Sequence, residues 1–277
     1  MLQGGLANQM FQYAVGRRLA LLRDTQLQID NSWYGRAAQT DGVGKRVYEL
    51  GPMNIEEHIY KPTLANRLRI KASGASIYSD EVQPYVFHPE VLELPDYSRL
   101  FGFFQNERYF ADIRDLLLKE FTLKAAPTDK NKTLLAEIEA NPQAVSLHVR
   151  RGDYVSSAAH AAHHGAKGLD YYTEAVKVIK KTAPKPTFYV FSDDPEWCKQ
   201  NIKLGAPTVY VDHNSYGGED MRLMKACRHN IIANSSFSWW GAWLNTNPEK
   251  VVVAPKQWVN DSAMDSSDVV PKSWHRI

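Results

Sequence analysis

Apolar residues in the second half of the chain cluster in short runs, separated by segments in which apolar residues recur every three or four positions. The runs span residues 144–150, 187–192, 208–211, 230–233 and 250–254. Short continuous apolar runs are typical of buried strands, and the longer spacing is typical of amphipathic helices. Strands that alternate with helices form βαβ units, so the pattern predicts a parallel sheet covered by helices.

The first half of the chain is less regular. Helical spacing after the glycine pair Gly4–Gly5 predicts one long helix, and the apolar positions that define it are Met10, Phe11, Ala14, Val15, Leu19 and Leu22. We also predict a strand at Leu27 and Ile29, a strand over 100–105 and a helix over 107–121. The elements of residues 31–100 cannot be ordered, as is typical of regions built from loops.

A short polar segment with a proline, residues 125–130, separates the two halves and is the best linker candidate. We therefore predict two domains, residues 1–126 and residues 127–277. The first is a less regular α/β domain, and the second contains a sheet of the nucleotide-binding type. The ligand is expected in a cleft between them.

Composition fits a globular protein with a real core, since 44% of the 277 residues are hydrophobic and 23% are charged. A net charge of +2 gives no electrostatic argument for nucleic acid or an anionic membrane. No apolar run approaches the roughly 18 residues of a membrane span, and neither a signal peptide nor a basic amphipathic helix is apparent. We expect a cytoplasmic protein, with peripheral association at the inner face of the membrane as the alternative. The two cysteines, Cys198 and Cys227, are predicted to be reduced thiols.

The segment His148–Arg151 carries the strongest chemical signal. It follows the apolar run 144–147, at the carboxyl end of a predicted strand, where ligands bind in open α/β sheets. Arginine suits a phosphate there, because its planar guanidinium donates two hydrogen bonds at once and stays charged. Arg150 shares a strand face with His148, so we predict that Arg150 contacts phosphate. Arg151 either joins it or forms a salt bridge.

Polar groups also follow the predicted strands 187–192 and 230–233. After the first, Asp194 precedes Pro195, which is typical of a helix N-cap, so Asp193 is left to bind a base or ribose. After the second, the predicted phosphate-binding residues are Asn234, Ser235, Ser236 and Phe237. Their amides and hydroxyls stand at the positive end of a helix dipole, and a simple serine cap is the alternative.

Three further features have two interpretations each. Asp153 either removes a proton as a general base, or pairs with Arg151 or caps a turn. Gly4–Gly5 either exposes backbone N–H groups at the start of a helix or makes only a tight turn. The tryptophans of the last predicted helix are interpreted as core rather than as a sugar-binding platform; they are Trp239, Trp240 and Trp243.

The chain offers no convincing metal site. It contains no Asp-x-Asp triplet, with which nucleotide-sugar enzymes hold a divalent ion. The histidines of one loop, His160, His163 and His164, lack a ligand set of suitable spacing and are predicted to be solvated. Arginine side chains and backbone N–H groups would then bind and neutralise the phosphates. This favours a transferase that needs no metal or other cofactor.

Four segments of the sequence resemble the alpha-1,2-fucosyltransferases, glycosyltransferase family eleven. They are Gly4–Ala14, His148–Tyr154, Asn234–Ala242, and Phe191–Asp194 with Trp197. The resemblance implies an α/β fold of the GT-B type, with two Rossmann-like domains and the active site in the cleft between them. The first domain would face the acceptor, and the second would bind GDP-fucose. The implied reaction moves L-fucose from GDP-β-L-fucose to the 2-hydroxyl of a galactose-terminated glycan, with inversion.

The resemblance also implies roles for single residues. Arg150 would bind the β-phosphate, His148 the guanine nucleotide, and Asp193 or Asp194 the guanine or ribose, while Asn8 would face the reaction centre. The remaining residues predicted to bind the donor are Gly5, Arg151, Asn234, Ser235, Ser236 and Phe237. Asp153 is our own candidate for the general base.

Two features depart from the family pattern. Ala7 stands where the family usually has glycine, and it would be strained at a positive φ. A hydrophobic strand normally precedes the glycine pair, and here Met1–Gln3 stands in its place, so we expect either a start further upstream or a missing first strand. The alternatives are therefore an inert nucleotide- or glycan-binding homologue and an inverting transferase for another nucleotide sugar.

Overall fold

The computed structural model describes residues 1–35, 46–74, 77–80, 85–156, 165–261 and 263–277, without the side chains of Asp153 and Ser156. The chain divides into two compact units. The first contains residues 1–124 and 264–269, and the second contains residues 125–263 and 270–277. The first unit therefore ends at Lys124, two residues before the predicted boundary. It also includes a short segment near the C-terminus, so the chain crosses between the units more than once.

The first unit contains short elements around one long helix. Its α-helices are α1 (Leu6–Leu22), α2 (Leu64–Ala72) and α3 (Arg114–Glu120). Its strands β1 (Ile77–Ser79) and β2 (Arg99–Phe101) form a parallel pair. Single 3-10 turns span Ser32–Gly35, Pro89–Glu93, Glu107–Tyr109 and Ala111–Ile113. The helix predicted over 107–121 is therefore two 3-10 turns followed by α3, and the strand predicted at Leu27 and Ile29 is a single bridge from Ile29 to Ile59.

A buried carboxylate ends β2 earlier than predicted. Gly102 has a φ of +120°, and a Cβ there would lie 1.3 Å from Asp80 Oδ1, so only glycine fits. The Asp80 carboxylate accepts hydrogen bonds from the backbone N–H groups of Phe103 (3.1 Å) and Phe104 (2.7 Å). These bonds replace strand pairing, so the strand predicted over 100–105 stops at Phe101.

Helix α1 begins at Leu6, directly after the glycine pair, as predicted. Gly4 has a φ of +76°, whereas Ala7 lies inside the helix and is not among the residues with positive φ, so alanine is not strained there. The buried side chains include Gln9 and Gln12 beside the expected apolar residues, and Leu22 is exposed instead of buried. The helix is therefore covered on more sides than its apolar spacing predicts.

The segment Met1–Gln3 is hydrogen-bonded to two other parts of the first unit. The Leu2 N–H donates to the carbonyl of Asp30 (2.8 Å), and the Met1 ammonium donates to the carbonyl of Leu100 (2.9 Å). Leu2 is buried. These residues therefore join the backbone at Asp30 to strand β2.

The second unit is built on a parallel sheet of six strands. They are β3 (Ala144–Val149), β4 (Thr187–Ser192), β5 (Thr208–Val211), β6 (His229–Ile231), β7 (Val252–Ala254) and β8 (His275–Arg276). Their order is β5-β4-β3-β6-β7-β8, which counts as 3-2-1-4-5-6 within the unit and is the order of a doubly wound α/β sheet. The predicted α/β class is confirmed. The pattern missed β8, because its two residues are exposed and carry no apolar run.

Helices connect these strands and cover both faces of the sheet. They are α4 (Asp129–Ala140), α5 (Gly152–Ser156), α6 (Leu169–Lys180), α7 (Pro195–Asn201), α8 (Gly217–Ala226) and α9 (Ser236–Trp243). Strand residues alternate between the two cores, with Val145 and Leu147 on one side and Ala144 on the other. Gly168 is the N-cap of α6.

Several buried side chains behave as the sequence predicts. Trp239, Trp240 and Trp243 are buried in the core, which excludes a role as an exposed sugar platform. Cys198 and Cys227 are buried free thiols. Within the described residues, no helix is long and apolar enough to cross a membrane.

Candidate functional site

The carboxyl ends of β3 and β6 mark the point in the second unit where the strand order reverses. These two strands are adjacent, and their successors lie on opposite sides of them. In open α/β sheets the adjacent loops diverge at such a point and leave a crevice for ligand. The loops that leave it here are residues 150–151, which lead into α5, and residues 232–235, which lead into α9.

His148 is the last buried polar side chain on β3. Its ring lies 5.5 Å from the ring of Phe237 in the first turn of α9, and its Nδ1 atom is buried without a hydrogen-bond partner. Burial lowers the pKa of His148 to about 4, although the negative charge of Asp193 acts to raise it. The ring is therefore neutral at pH 7. A neutral imidazole with an unpartnered nitrogen can offer one hydrogen bond to a polar ligand.

Two arginine–aspartate pairs join the ends of β3 and β4. The strands pair with Val149 opposite Ser192, so the residues that follow leave the sheet side by side. Arg150 Nη1 lies 3.0 Å from Asp193 Oδ2, and Arg151 Nε lies 3.2 Å from Asp194 Oδ2. These ion pairs fix the direction in which both guanidiniums leave the strand.

The two aspartates also bind backbone. Asp193 Oδ1 accepts a hydrogen bond from the Arg151 N–H (2.9 Å), and Asp194 Oδ1 caps α7 by accepting one from the Trp197 N–H (3.2 Å). Asp194 is thus the helix N-cap that its position before Pro195 predicts. Asp193, which the sequence leaves available for a base or ribose, has both oxygens engaged by Arg150 and Arg151.

Aromatic rings support the arginines and connect the two loops. The Arg151 guanidinium carbon lies 3.7 Å above the centre of the Trp197 ring, and that of Arg150 lies 5.6 Å from the Tyr154 ring centre. The Tyr154 hydroxyl donates to the carbonyl of Asn234 (3.0 Å). This bond links the start of α5 to the loop before α9, so the two sides of the crevice are held together.

Helix α9 begins beside His148 with its first N–H groups available. Ser235 is the N-cap residue, but its side chain makes no capping hydrogen bond, and the first turn contains no acidic residue. Within the described residues, the N–H groups of Ser236 and Phe237 have no hydrogen-bond acceptor. The Asn234 amide instead donates to the carbonyls of Gly165 (3.2 Å) and Trp258 (3.1 Å), which anchors the loop. An uncapped helix start of this kind favours an anion.

The first unit holds the other two predicted site residues, Gly5 and Asn8, at the start of α1. Gly5 is the N-cap of α1, and the Leu6 N–H donates to Glu49 Oε2 (2.8 Å). Asn8 Oδ1 accepts a hydrogen bond from Gln105 Nε2 (3.0 Å). The backbone N–H of Leu6, expected to be available after the glycine pair, is thus bound by the chain's own carboxylate.

The structure therefore brings most of the predicted donor-site residues to one edge of the second unit. They are His148, Arg150, Arg151, Asp193, Asp194, Asn234, Ser235, Ser236 and Phe237. The backbone of Asp153 lies in α5, but its side chain lies outside the described residues, as do His160, His163 and His164. No cluster of three or more metal-ligating side chains occurs in the described part of the chain.

Sequence reasoning missed Glu49 and Tyr154 as parts of these sites. Glu49 lies in the region whose elements could not be ordered, so no pattern connects it to α1. Tyr154 stands in the segment His148–Tyr154, but its bond to Asn234 depends on the pairing of β3 with β6.

Comparison with known proteins finds a family model and two relatives that align with most of the chain. The family model described as Glycosyl transferase family 11 matches residues 88–277. An alpha-1,2-colitosyltransferase of Escherichia coli is 32% identical over 288 residues, covering 100% of this chain and 97% of that protein. The O-antigen biosynthesis glycosyltransferase WbnK of Escherichia coli is 33% identical over 300 residues, covering 99% and 98%.

Other similar proteins align at lower identity. Galactoside alpha-(1,2)-fucosyltransferase 2 of Bos taurus is 29% identical over 160 residues, which covers 54% of this chain and 45% of that protein. The crystal structure of fucosyltransferase NodZ from Bradyrhizobium aligns with a TM-score of 0.49 at 14% identity, covering 86% of this chain and 88% of that one. Because the family model spans more than half of the chain and two relatives align over nearly its whole length, the chain belongs to glycosyl transferase family 11, a family of glycosyltransferases.

Proposed function

We propose that this glycosyltransferase moves L-fucose from GDP-β-L-fucose to the 2-hydroxyl of a galactose residue, with inversion and without a metal ion. One observation carries the proposal. At the point where the strand order reverses, the uncapped start of α9 lies beside the buried, neutral His148 and at the same sheet edge as Arg150. The four sequence segments that resemble alpha-1,2-fucosyltransferases support the choice of donor and linkage.

The diphosphate of the donor would bind at the start of α9. Backbone N–H groups and the positive end of the helix dipole attract phosphate there, and no carboxylate of the first turn competes. Arg150 would contact the β-phosphate. A guanidinium carries five N–H donors, so its ion pair with Asp193 is compatible with a phosphate contact.

The nucleoside would lie against His148 and Phe237. The unpartnered Nδ1 of His148 can form one hydrogen bond with it, and the ring needs no counter-charge because it is neutral. The resemblance assigns the guanine or ribose to Asp193 or Asp194, but both carboxylates already hold arginines. We therefore propose that these two aspartates position Arg150 and Arg151.

The reaction would be a single displacement. The acceptor 2-hydroxyl oxygen forms a bond to the anomeric carbon of fucose from the face opposite GDP. The bond from that carbon to the β-phosphate oxygen breaks, and its electron pair stays on GDP. Arg150 and the N–H groups of α9 stabilise the charge that develops on the leaving diphosphate. The hydroxyl proton passes to Asp153, directly or through a water molecule.

The acceptor would be held by the first unit. At the start of α1, Asn8 is the residue that the resemblance places at the reaction centre, whereas Gly5 was predicted with the donor-binding residues. The GT-B arrangement, with the reaction in a cleft, belongs to the same proposal. Turnover by variants of Asn8 tests it: Asn8→Ala should reduce transfer while GDP still raises the melting temperature as in the unmodified chain.

A transfer assay in excess EDTA tests the main proposal. The intact chain is incubated with GDP-fucose and either lactose or N-acetyllactosamine, and NMR identifies the linkage of the product. We expect an α1,2-fucosylated product. The variant Asp153→Asn should reduce the rate strongly while GDP still protects the protein from unfolding. Full activity of Asp153→Asn would exclude Asp153 as the base.

A second donor is favoured by one observation. The relative that aligns over 100% of this chain at 32% identity is named an alpha-1,2-colitosyltransferase. Colitose is L-fucose without its 3-hydroxyl, so the same diphosphate site serves both sugars. Competition between GDP-fucose and GDP-colitose in one reaction, with both products quantified by mass, separates the two donors.

An inert binding protein gives a third outcome. Such a chain would have a higher melting temperature with GDP but would transfer neither fucose nor colitose to any galactoside. Product formed from either donor excludes it.

A further inference from the structure

Helix α2 in the first unit has an apolar face that no part of the described chain covers. Thr63 caps the helix by accepting a hydrogen bond from the Asn66 N–H (3.2 Å), and none of the nine helical residues is buried. Leu64 is 74% exposed and Leu68 is 57% exposed. A helix this short is marginally stable in water unless its apolar side chains pack against something. A partner that covers the exposed leucines would therefore stabilise it.

The exposed residues of α2 form one ordered stripe. Successive residues turn by 100° around a helix, which places Leu64, Leu68 and Ala72 on one line. The half-buried residues Asn66 and Ile70 lie on the opposite side and mark the face turned toward the protein. We call the stripe Leu64, Leu68 and Ala72, with its flanking cations Arg67, Arg69 and Lys71, the α2 surface.

The charge of this region has one sign. Between Lys61 and Ser79 the sequence contains four basic residues and no acidic one, although the whole chain has a net charge of only +2. Arg67 and Lys71 flank the apolar stripe on one side and Arg69 on the other. In the described residues, none of these cations forms an ion pair. An apolar stripe with cations on both sides is complementary to an anionic membrane, whose interior is apolar and whose headgroups carry negative charge.

The inner side of α2 borders a cavity. This cavity of about 380 Å³ in the first unit is lined by Asn66, Arg69 and Ile70 of the helix and by Tyr97, which is itself exposed. In the described residues, the inner face of the helix is therefore only half-buried. An exposed tyrosine beside it adds an amphipathic ring of the kind that lies at membrane–water interfaces.

We propose that the α2 surface docks on an anionic phospholipid membrane, with the helix lying in the plane of the interface. Leu64 and Leu68 would enter the boundary between headgroups and acyl chains, while Arg67, Arg69 and Lys71 contact lipid phosphates. Sequence reasoning found no basic amphipathic helix, because this one is only nine residues long and stands in the region whose elements could not be ordered. The proposal does not depend on the donor or acceptor of the reaction.

Flotation with lipid vesicles tests the proposal on the intact chain. One set of vesicles contains phosphatidylcholine alone, and the other contains phosphatidylcholine and phosphatidylglycerol in equal parts. We expect flotation with the anionic vesicles only. The double variant Leu64→Ser/Leu68→Ser should lose it, and Arg67→Gln/Lys71→Gln should weaken partitioning by about 25-fold, since each cation near such a surface contributes about fivefold.

Matched variants on the second unit serve as controls. Leu169→Ser removes another exposed leucine, and Lys132→Gln/Lys185→Gln removes two exposed lysines. These controls should float as the unmodified chain does, and all variants should keep its melting temperature.

Three results would overturn the proposal. They are equal flotation with both kinds of vesicle, no flotation with either, and unchanged flotation of the α2 variants. A fourth comes from sedimentation: a dimer that Leu64→Ser/Leu68→Ser converts to a monomer would show that a second copy of the chain covers the stripe instead.

Discussion

Two helix starts, one in each unit, look alike in sequence but differ in what binds them. Neither α1 nor α9 has a side-chain cap, and neither has an acidic residue in its first turn. At α1 the carboxylate of Glu49 accepts the Leu6 N–H at 2.8 Å. At α9 the neighbours are the neutral His148 ring and the Ser235 hydroxyl, which makes no cap.

The difference shows how one chain uses the same backbone feature in two ways. The start of α1 is already bound by the carboxylate of Glu49. Burial raises the pKa of that carboxyl, although the Leu6 N–H and the Arg46 charge act to lower it. The start of α9 lacks such an anion and lies at the strand-order reversal, where a ligand anion can bind. Of the two, only α9 is therefore suited to the donor diphosphate.

The largest expected effect is the loss of the cation next to α9. Arg150→Ala should lower the rate of transfer by about a hundredfold or more, the scale of one contact that stabilises transition-state charge. Initial rates at saturating donor measure it. Arg228→Ala, which removes an arginine paired with Glu249 on the same unit, is the matched control and should leave the rate unchanged. A rate near that of the unmodified chain would remove Arg150 from the mechanism.

A carboxylate placed at α9 should make it behave like α1. In Ser235→Asp the new side chain caps the helix and repels phosphate, so the affinity for GDP should fall about tenfold or more while stability rises by about 0.5 kcal/mol. Calorimetric titration with GDP and thermal unfolding without it give both numbers. Ser235→Asn, a neutral cap of equal size, should bind GDP more tightly than the aspartate variant. Equal affinities would show that charge at α9 does not matter.

The reverse change at α1 should alter stability and leave nucleotide binding alone. Glu49→Ala removes the acceptor of the Leu6 N–H, which should lower the free energy of unfolding by about 1.5 kcal/mol. Denaturant titration measures the loss. The affinity for GDP is expected to stay the same, and a large drop would mean that the start of α1 also binds the nucleotide.

A third helix start, that of α8, should give the smallest effect and a pH dependence. Its first turn carries Glu219 and Asp220, and burial raises the pKa of Asp220 to about 6, against the hydrogen bond from Asn214. Below pH 4 both folded and unfolded chains hold the proton, so the carboxyl costs nothing. As the pH rises from about 4 to about 6, the unfolded chain releases the proton while the folded chain still holds it, so stability falls and the loss is complete above the folded pKa.

Asp220→Asn removes that cost. We expect a gain of roughly 1 kcal/mol at pH 8, after the lost charge–dipole attraction offsets part of the pKa effect, and almost none at pH 4. Unfolding curves at the two pH values check it. A gain of equal size at both would show that ionisation of Asp220 is not the cause.

The sheet of the second unit was predictable because its strands are buried on both faces. Residues 144–149 and 187–192 are rich in apolar residues for that reason, and the polar residues that follow them mark the site. The N-cap role of Asp194 was also predictable, since Pro195 follows it. These features depend on neighbours along the chain.

Contacts between distant segments were not predictable. The pairing of Arg150 with Asp193 depends on the register of β3 against β4, and Glu49 reaches α1 from a segment without regular periodicity. Helix α2 escaped detection because its stripe contains only Leu64, Leu68 and Ala72. For Arg150 and Glu49 the missing information is tertiary, whereas for α2 the apolar pattern is too short to stand out.

The most direct test of the central claim is hydrogen–deuterium exchange of the intact chain with and without saturating GDP. We expect slower exchange of the amides of Ser236, Phe237 and Ser238 when GDP is bound, because the diphosphate accepts their hydrogen bonds. Exchange in that peptide that stays unchanged, while calorimetry shows GDP bound to the same sample, would contradict the claim that α9 holds the donor.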